Sequence, residues 1–296
     1  MSLKIRRCLG TTARSLRASL PFIVICVTAV PALGQAIEPL ALSKKIFGKE
    51  PFPNIEKYVT GEYKGKPNGK DLQRGSTTRF LLLGQTGNKA VVAMTILDST
   101  GKGLDTYLHF EKDSLWKMNA FRGLAMTGLI ERAKTELEKM TPGQVDEIIE
   151  NGKKAKSNEY FIFGSKEDYH FKLGNARLTL DLDENIIQHF IKNKAAFERL
   201  KEAALKELAG NKSDGEPAVK LVENLSHDYR NLFISAVSYG DHLPGPKCLD
   251  FSIGGMLDNT VGYLYVSDKK DLPEMSDRKV IMLREIADGW YLYKTT

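Results

Sequence analysis

Two blocks of short apolar segments, separated by turn residues, limit most strongly how this chain folds. In residues 77–121, four β-branched and apolar runs are divided by the stretches QTGN, DSTGKG and DS. From residue 232 to the end, five such runs follow one another, with hairpin-type turns at 257–259 and 287–289. Short strands joined by short turns are typical of antiparallel meanders. The sequence therefore predicts antiparallel sheets.

The residues between these blocks carry helical patterns. Apolar residues recur every three or four positions from 121 to 140 and again in a long helix predicted from about 185 to 208. Thr141 and Gln144 have the spacing of a capping box for another helix. The acidic residues 181–184 precede the long helix, where negative charge stabilises a helix start. Residues 159–181 predict three short strands. We therefore expect an α+β protein whose antiparallel meander sheets pack on helices.

Four parts are predicted along the chain: residues 1–36 as a signal peptide, 37–75 as an irregular N-terminal arm, and 76–182 and 183–296 as two α+β halves. The two halves have similar strand layouts, and each contains one of the two tryptophans just after its last turn. An internal duplication explains this layout, and so does the general likeness of any two meanders.

The first 36 residues have the order of an export signal. Five basic residues precede the 15-residue apolar run LPFIVICVTAVPALG, which ends at Gly34, and Gly34 and Ala36 supply the small residues of a cleavage site. We expect cleavage after Ala36 and delivery to the periplasm or the cell exterior. The run is shorter than the ~20 residues that span a bilayer, which favours cleavage over the alternative of a permanent anchor.

Charge and cysteine content narrow the class of the mature chain. The whole sequence has 43 basic and 37 acidic residues, and removing the five basic residues of the leader leaves 38 against 37, a net charge of +1. This balance gives no support to nucleic-acid binding, which depends on clustered basic residues. Cys248 is the only cysteine after residue 36, so no intramolecular disulfide is expected.

The stretch GQTGNKAV at 84–91 looks at first like a phosphate-binding loop. Such a loop needs a second glycine where Lys89 stands and a hydroxyl residue where Val91 stands. It must also lead into a helix, whereas a strand pattern follows here. We therefore predict a hairpin turn and no nucleotide cofactor.

One loop contains residues of catalytic or metal-binding type. Asp241, His242 and Cys248 lie within eight residues of a Gly/Pro-rich segment. These side chains suit a zinc ion or a Cys–His nucleophile pair, but the spacing matches no familiar zinc pattern. A buried cysteine at a strand start also acts as a small apolar residue. We expect no metal and no other cofactor.

Aromatic residues are concentrated near the C-terminus. Tyr and Trp combine an apolar ring with a polar group, which suits a ligand pocket or an interface, although they are also common strand residues. The candidate ligand-binding residues are Tyr239, Tyr263, Tyr265 and Trp290.

Residues 184–296, two helices followed by a meander that ends in DGWYLY, resemble the nuclear-transport-factor-2-like and cystatin-like α+β folds. The resemblance implies a curved sheet wrapped on helices with a pocket at its open end. Enzymes, ligand binders and docking modules all use such folds, so it selects no single function.

Together these features predict a non-enzymatic module of the bacterial envelope that binds a small apolar ligand or an envelope protein. The alternative is a hydrolase-type enzyme that uses the Cys248/His242 loop. The sequence gives no indication of oligomeric state.

Overall fold

In the computed structural model, which describes residues 37–154, 162–210, 220–240 and 248–296, ten strands form two antiparallel sheets. The predicted α+β class is confirmed. The described residues belong to one compact unit, Ala36–Thr296. The predicted signal peptide, residues 1–36, lies outside the described residues.

The first sheet is the predicted four-stranded meander, in the order β1-β2-β3-β4. Its strands are β1 (Thr77–Gln85), β2 (Lys89–Leu97), β3 (Gly103–Lys112) and β4 (Trp116–Arg122). The Thr86 N–H donates to the Lys89 carbonyl at 2.8 Å and closes the β1–β2 hairpin. The prediction of a hairpin turn within residues 84–91 is therefore confirmed.

The second sheet has the order β5-β6-β7-β8-β10-β9. Its strands are β5 (Lys220–Leu221), β6 (Ala236–Tyr239), β7 (Leu249–Met256), β8 (Asn259–Tyr265), β9 (Val280–Ala287) and β10 (Trp290–Thr295). The last five match the five strands predicted for the end of the chain.

Seven helices occur in the described ranges, and none of them combines the length and apolar character that a membrane crossing demands. They are α1 (Pro39–Ile46), α2 (Thr127–Lys139), α3 (Pro142–Lys154), α4 (Lys166–Leu180), α5 (Asp183–Lys192), α6 (Lys194–Gly210) and α7 (Ser226–Arg230). Thr141 and Gln144 form the predicted capping box of α3, since each backbone N–H donates to the other residue's side chain, at 2.8 and 3.3 Å.

The largest core lies between the two sheets and contains α5 and α6. Val91, Ala93 and Tyr107 of the first sheet meet Phe190 and Phe197 of these helices, and the second sheet closes the other side. We call the surface of each sheet that faces this core its inner face. A second core covers the opposite face of the first sheet, where α1 packs on the alternate residues of β2 and β3.

Residues 37–75 contain α1 and a 3-10 turn at Ile55–Tyr58. The rest of the segment is irregular but not detached. Tyr63 is buried in the second core, and Val59 forms a parallel bridge with Met118 of β4. The N-terminal arm therefore covers the outer edge of β4.

The three short strands predicted over 159–181 are wrong where the structure describes them, because Lys166–Leu180 forms α4. The Ser165 side chain caps this helix by accepting from the Asp168 N–H at 3.1 Å. Gly174 lies inside this helix. An added Cβ there would come within 2.2 Å of the Phe233 ring, so glycine serves close helix packing at this position.

The single long helix predicted from 185 to 208 is two helices, α5 and α6, with a break at Asn193. The Asn193 side chain donates to the His189 carbonyl at 2.9 Å, which satisfies a carbonyl at the end of α5. The apolar stripe predicted for this segment is nevertheless buried as far as Ala204, and its last residue, Leu208, is half-buried.

Candidate functional site

A row of polar residues crosses the inner face of the first sheet. Arg79 on β1 lies opposite Thr95 on β2, and Thr95 lies opposite Asp105 on β3. The Thr95 hydroxyl donates to Asp105 Oδ1 at 2.5 Å. Two residues further along each strand, the next row on the inner face consists of Leu81, Ala93 and Tyr107. The inner face therefore changes from polar to largely apolar between these two rows.

The N-terminus of α5 lies over the polar row. Asp183 is the first residue of this helix. Its backbone N–H donates a hydrogen bond of 2.6 Å to Asp105 Oδ2. A carboxylate satisfies an otherwise unpaired N–H there and opposes the positive end of the helix dipole. Asp105 therefore fixes the helix start on the first sheet.

The second sheet contributes a buried cation to the same place. The Nζ atom of Lys294 on β10 lies 2.8 Å from Asp183 Oδ1, and both side chains are about 95% buried. The Tyr107 hydroxyl lies 2.9 Å from each Asp183 oxygen. Asp183 therefore joins both sheets to α5, and charge and hydrogen bonding together offset its burial.

A cavity of about 160 Å³ adjoins this cluster. Thr95, Asp105 and Asp183 form the part of its wall next to the cluster, and β1, β2, the start of α5 and β9 supply the rest. The remaining lining residues are Arg79, Phe80, Leu81, Ala93, Leu182, Glu184 and Arg284. Lys294 and Tyr107 lie behind this wall.

Burial raises the pKa of the Asp105 carboxyl above its ordinary value, and the nearby Asp183 carboxylate raises it further. Both carboxylates are already engaged by protein donors. Tyr107 and Lys294 hold Asp183, and Thr95 and the Asp183 N–H hold Asp105. This arrangement suits a rigid binding surface better than proton transfer, which requires a group within reach of the substrate's proton.

The two arginines of the cavity are less occupied than the acids. Arg79 is exposed and has no ion pair or side-chain hydrogen bond among the described residues. Arg284 lies 3.4 Å from Glu184, which exceeds the ~2.7–2.9 Å of a strong charge-assisted hydrogen bond. Both guanidinium groups can therefore donate hydrogen bonds to an additional anionic group.

Two other depressions are larger but lack a buried charged cluster. One of about 410 Å³ lies between α6 and α7 beside Arg199 and Asp228. The other, of about 400 Å³, lies at the end of α1 beside Lys44, Lys45 and Lys49. We take the smaller cavity as the candidate site because it adjoins a buried cluster of polar groups from three separate elements.

The aromatic residues chosen from the sequence lie elsewhere. Trp290 and Tyr263 are fully buried in the main core, and Tyr239 and Tyr265 pack against it. The Tyr263 hydroxyl donates to the Ile186 carbonyl at 2.7 Å. None of the four lines any of the three cavities described above. Direct ligand contact by Trp290 or Tyr263 would require the core to open.

Of the three catalytic candidates, Cys248 alone is described. It is 2% exposed, and its thiol lies 3.4 Å from the Asp271 carbonyl oxygen, as expected for a buried, apolar-type cysteine. Asp241 and His242 lie outside the described residues. Within the described ranges, no group of His, Cys, Asp and Glu is arranged to hold a metal ion.

A second buried acid, Asp250, lies next but one to Cys248. Its Oδ1 accepts from the Tyr293 hydroxyl at 2.7 Å, whereas Oδ2 has no partner among the described residues. Burial raises the pKa of Asp250 from 3.8 to about 7, although the Tyr293 hydrogen bond opposes this change.

Asp250 should make the protein less stable as pH rises. The unfolded chain ionises this group near pH 4, whereas the folded protein keeps it protonated up to about pH 7, so folding takes up a proton between these values. The gain in melting temperature of Asp250→Asn over wild type should therefore grow from pH 5 to pH 8. The control is Asp258→Asn at an exposed position, which should show no such pH-dependent gain. A gain in melting temperature of Asp250→Asn that stays the same from pH 5 to pH 8 would contradict the prediction.

Comparison with known proteins finds no matching family model, curated protein or solved structure. The resemblance of residues 184–296 to nuclear-transport-factor-2-like and cystatin-like folds stays a prediction.

Proposed function

We propose that this protein is an exported, non-enzymatic binding module whose ligand presents an anionic group to Arg79 and Arg284. The observation that supports it is that two arginines line the same cavity. Arg79 has no ion pair among the described residues, and Arg284 has only a long contact with Glu184. Arginine binds carboxylate and phosphate groups through two parallel hydrogen bonds.

The size and lining of the cavity favour a small group with a short apolar stem. Its volume of about 160 Å³ corresponds to roughly five waters at ~30 Å³ each. Pockets that enclose drug-sized ligands measure ~300–1,000 Å³. Leu81, Ala93 and Leu182 can cover a stem while the guanidinium groups hold the anion. We therefore revise the ligand class from apolar to anionic with an apolar stem.

Export and the alternative function depend on parts of the chain outside the described residues. The leader pattern of residues 1–36 supports export. The hydrolase alternative needs His242 within hydrogen-bond reach of Cys248. The burial of Cys248 favours binding over that alternative, because a nucleophilic thiol must be accessible to its substrate.

Sodium propionate is a suitable probe, because it joins one carboxylate to a two-carbon stem. In an NMR titration of the isotope-labelled mature protein, saturable amide shifts are expected at residues 77–82, 182–184 and 283–285. Arg79→Gln and Arg284→Gln should each weaken binding about five-fold or more, because each removes one charge-assisted contact.

Two controls make this result specific. Propionamide has the same shape without the charge and should cause little shift. Arg199→Gln changes an arginine beside the larger depression near α7 and should leave propionate binding unchanged. Equal binding of propionamide, or an equal loss in Arg199→Gln, would contradict the proposed site.

A further inference from the structure

The candidate cavity adjoins an unprotected sheet edge. Sheet edges carry unpaired backbone groups that invite another strand, and proteins usually protect them with short length, charge, bulges or covering segments. The described residues contain four such edges, β1 and β4 of the first sheet and β5 and β9 of the second.

Three of these edges are protected. The arm covers β4, where the Thr60 and Tyr63 N–H groups donate to carbonyls of Met118 and Asn119. The edge strand β5 comprises two residues in the part of the chain that the structure describes. Strand β9 carries the charged pair Arg284 and Glu285, and its pairing with β10 shifts register twice.

The remaining edge strand, β1, has nine residues, no proline and one charged residue, Arg79. Its Leu81 and Leu82 side chains are 44% and 37% exposed. The end of β1 is occupied by neighbours, since the Met275 methyl lies against Gly84 and Gln85 donates to Glu38. Residues 77–82 are therefore the accessible part of the edge.

The two faces of this edge differ. Arg79 and Leu81 lie on the inner face and line the cavity. Phe80 and Leu82 lie opposite Met94 and Val92, which belong to the second core. A strand laid along this edge would meet, on one side, a cavity whose wall holds two arginines among three acidic residues, and an apolar surface on the other.

We propose that an extended peptide adds to the edge of β1 along residues 77–82 and places one acidic side chain in the cavity, against Arg79 and Arg284. This inference rests on the proposed anion site and names its ligand as part of a polypeptide. In such strand addition, backbone hydrogen bonds provide affinity and pockets for alternate side chains provide specificity.

The dimensions and charge agree with this occupant. The cavity is the size of one side chain, and its two arginines complement a glutamate or an aspartate. Opposite charges facing each other on neighbouring strands contribute up to ~1 kcal/mol. Apolar side chains of the peptide would cover the exposed Leu81 and Leu82.

The test uses a capped peptide, Lys-Thr-Val-Leu-Val-Glu-Thr-Lys, which in antiparallel register places its glutamate opposite Arg79. Its affinity for the full mature protein is measured by calorimetry. The matched peptide with glutamine in place of glutamate should bind about five-fold more weakly, as the loss of one cross-strand charge pair predicts. Leu82→Lys in the protein should weaken the peptide but not propionate, because Leu82 faces away from the cavity.

Two N-methylated peptides identify strand addition. Each is methylated on one alternate set of residues, so only one of them blocks the N–H groups that face β1. One should lose binding at least ten-fold, and the other should retain it. Equal behaviour of the two, or a parent peptide that fails to bind while propionate binds, would overturn strand addition and leave the anion site standing. Failure of propionate as well would overturn both proposals.

Discussion

Lys294→Met is expected to lower the free energy of unfolding by about 3–5 kcal/mol, the usual cost of removing one partner from a buried ion pair. Lys294 and Asp183 lie 2.8 Å apart with about 95% of each side chain buried. Methionine preserves the apolar length of lysine but leaves the Tyr107 hydroxyl as the one donor to the Asp183 carboxylate among the described residues. Urea unfolding should show a lower midpoint at an unchanged slope.

The double variant Asp183→Asn/Lys294→Met tests whether the loss is electrostatic. It removes both charges and keeps an oxygen for the Tyr107 hydroxyl, so it should be more stable than Lys294→Met alone. Lys153→Met is the matched control, because Lys153 and Glu150 form an exposed pair at 2.9 Å, and it should show no measurable change. A double variant no more stable than Lys294→Met would show that lost packing, not the uncompensated carboxylate, causes the effect.

The strand layout was predictable because its signals are local. Turn residues at 86–88, 257–259 and 287–289 separate apolar runs, and each turn joins strands that are adjacent in a sheet. A hairpin needs only neighbouring residues to specify it. The capping box of α3 was predictable for the same reason.

Helix α4 was missed because its apolar residues do not gather on one face, so the period-3.6 signal is absent. Aromatic and β-branched residues such as Tyr169, Phe171 and Thr179 then favoured strands. The local signal that was available is Ser165, three residues before Asp168, as in a helix N-cap. A glycine within a segment also weakens a helix prediction, and the close approach of Gly174 to Phe233 is not visible in the sequence.

The candidate site was not predictable, since it depends on register and on distant pairs. Arg79, Thr95 and Asp105 form a row only once three strands are aligned. Lys294 near the chain end looks like any surface lysine, and burial next to Asp183 is a property of the packed sheets. Only the acidic start of α5 was anticipated, and for its helix dipole alone.

The other large effect is expected for Trp290→Ala, which should lower the free energy of unfolding by about 3–5 kcal/mol. Trp290 is fully buried, and its ring lies 4.9 Å from Phe251 and 5.0 Å from Phe190, centre to centre. Its indole N–H donates to Glu198 at 3.0 Å. Removing the ring leaves a cavity among aromatic neighbours and removes the hydrogen bond to Glu198, and urea unfolding measures the sum of these losses.

Propionate binding separates this core role from the ligand role inferred from the sequence. Trp290→Ala protein that remains folded should bind propionate as wild type does, because Trp290 is not part of the cavity wall. Leu257→Ala changes a leucine that is 83% exposed, so it should alter neither stability nor binding and serves as the control. If Trp290→Ala kept the wild-type unfolding midpoint yet lost propionate binding, the tryptophan would be a ligand contact, and the assignment of the site to the Arg79–Arg284 cavity would be wrong.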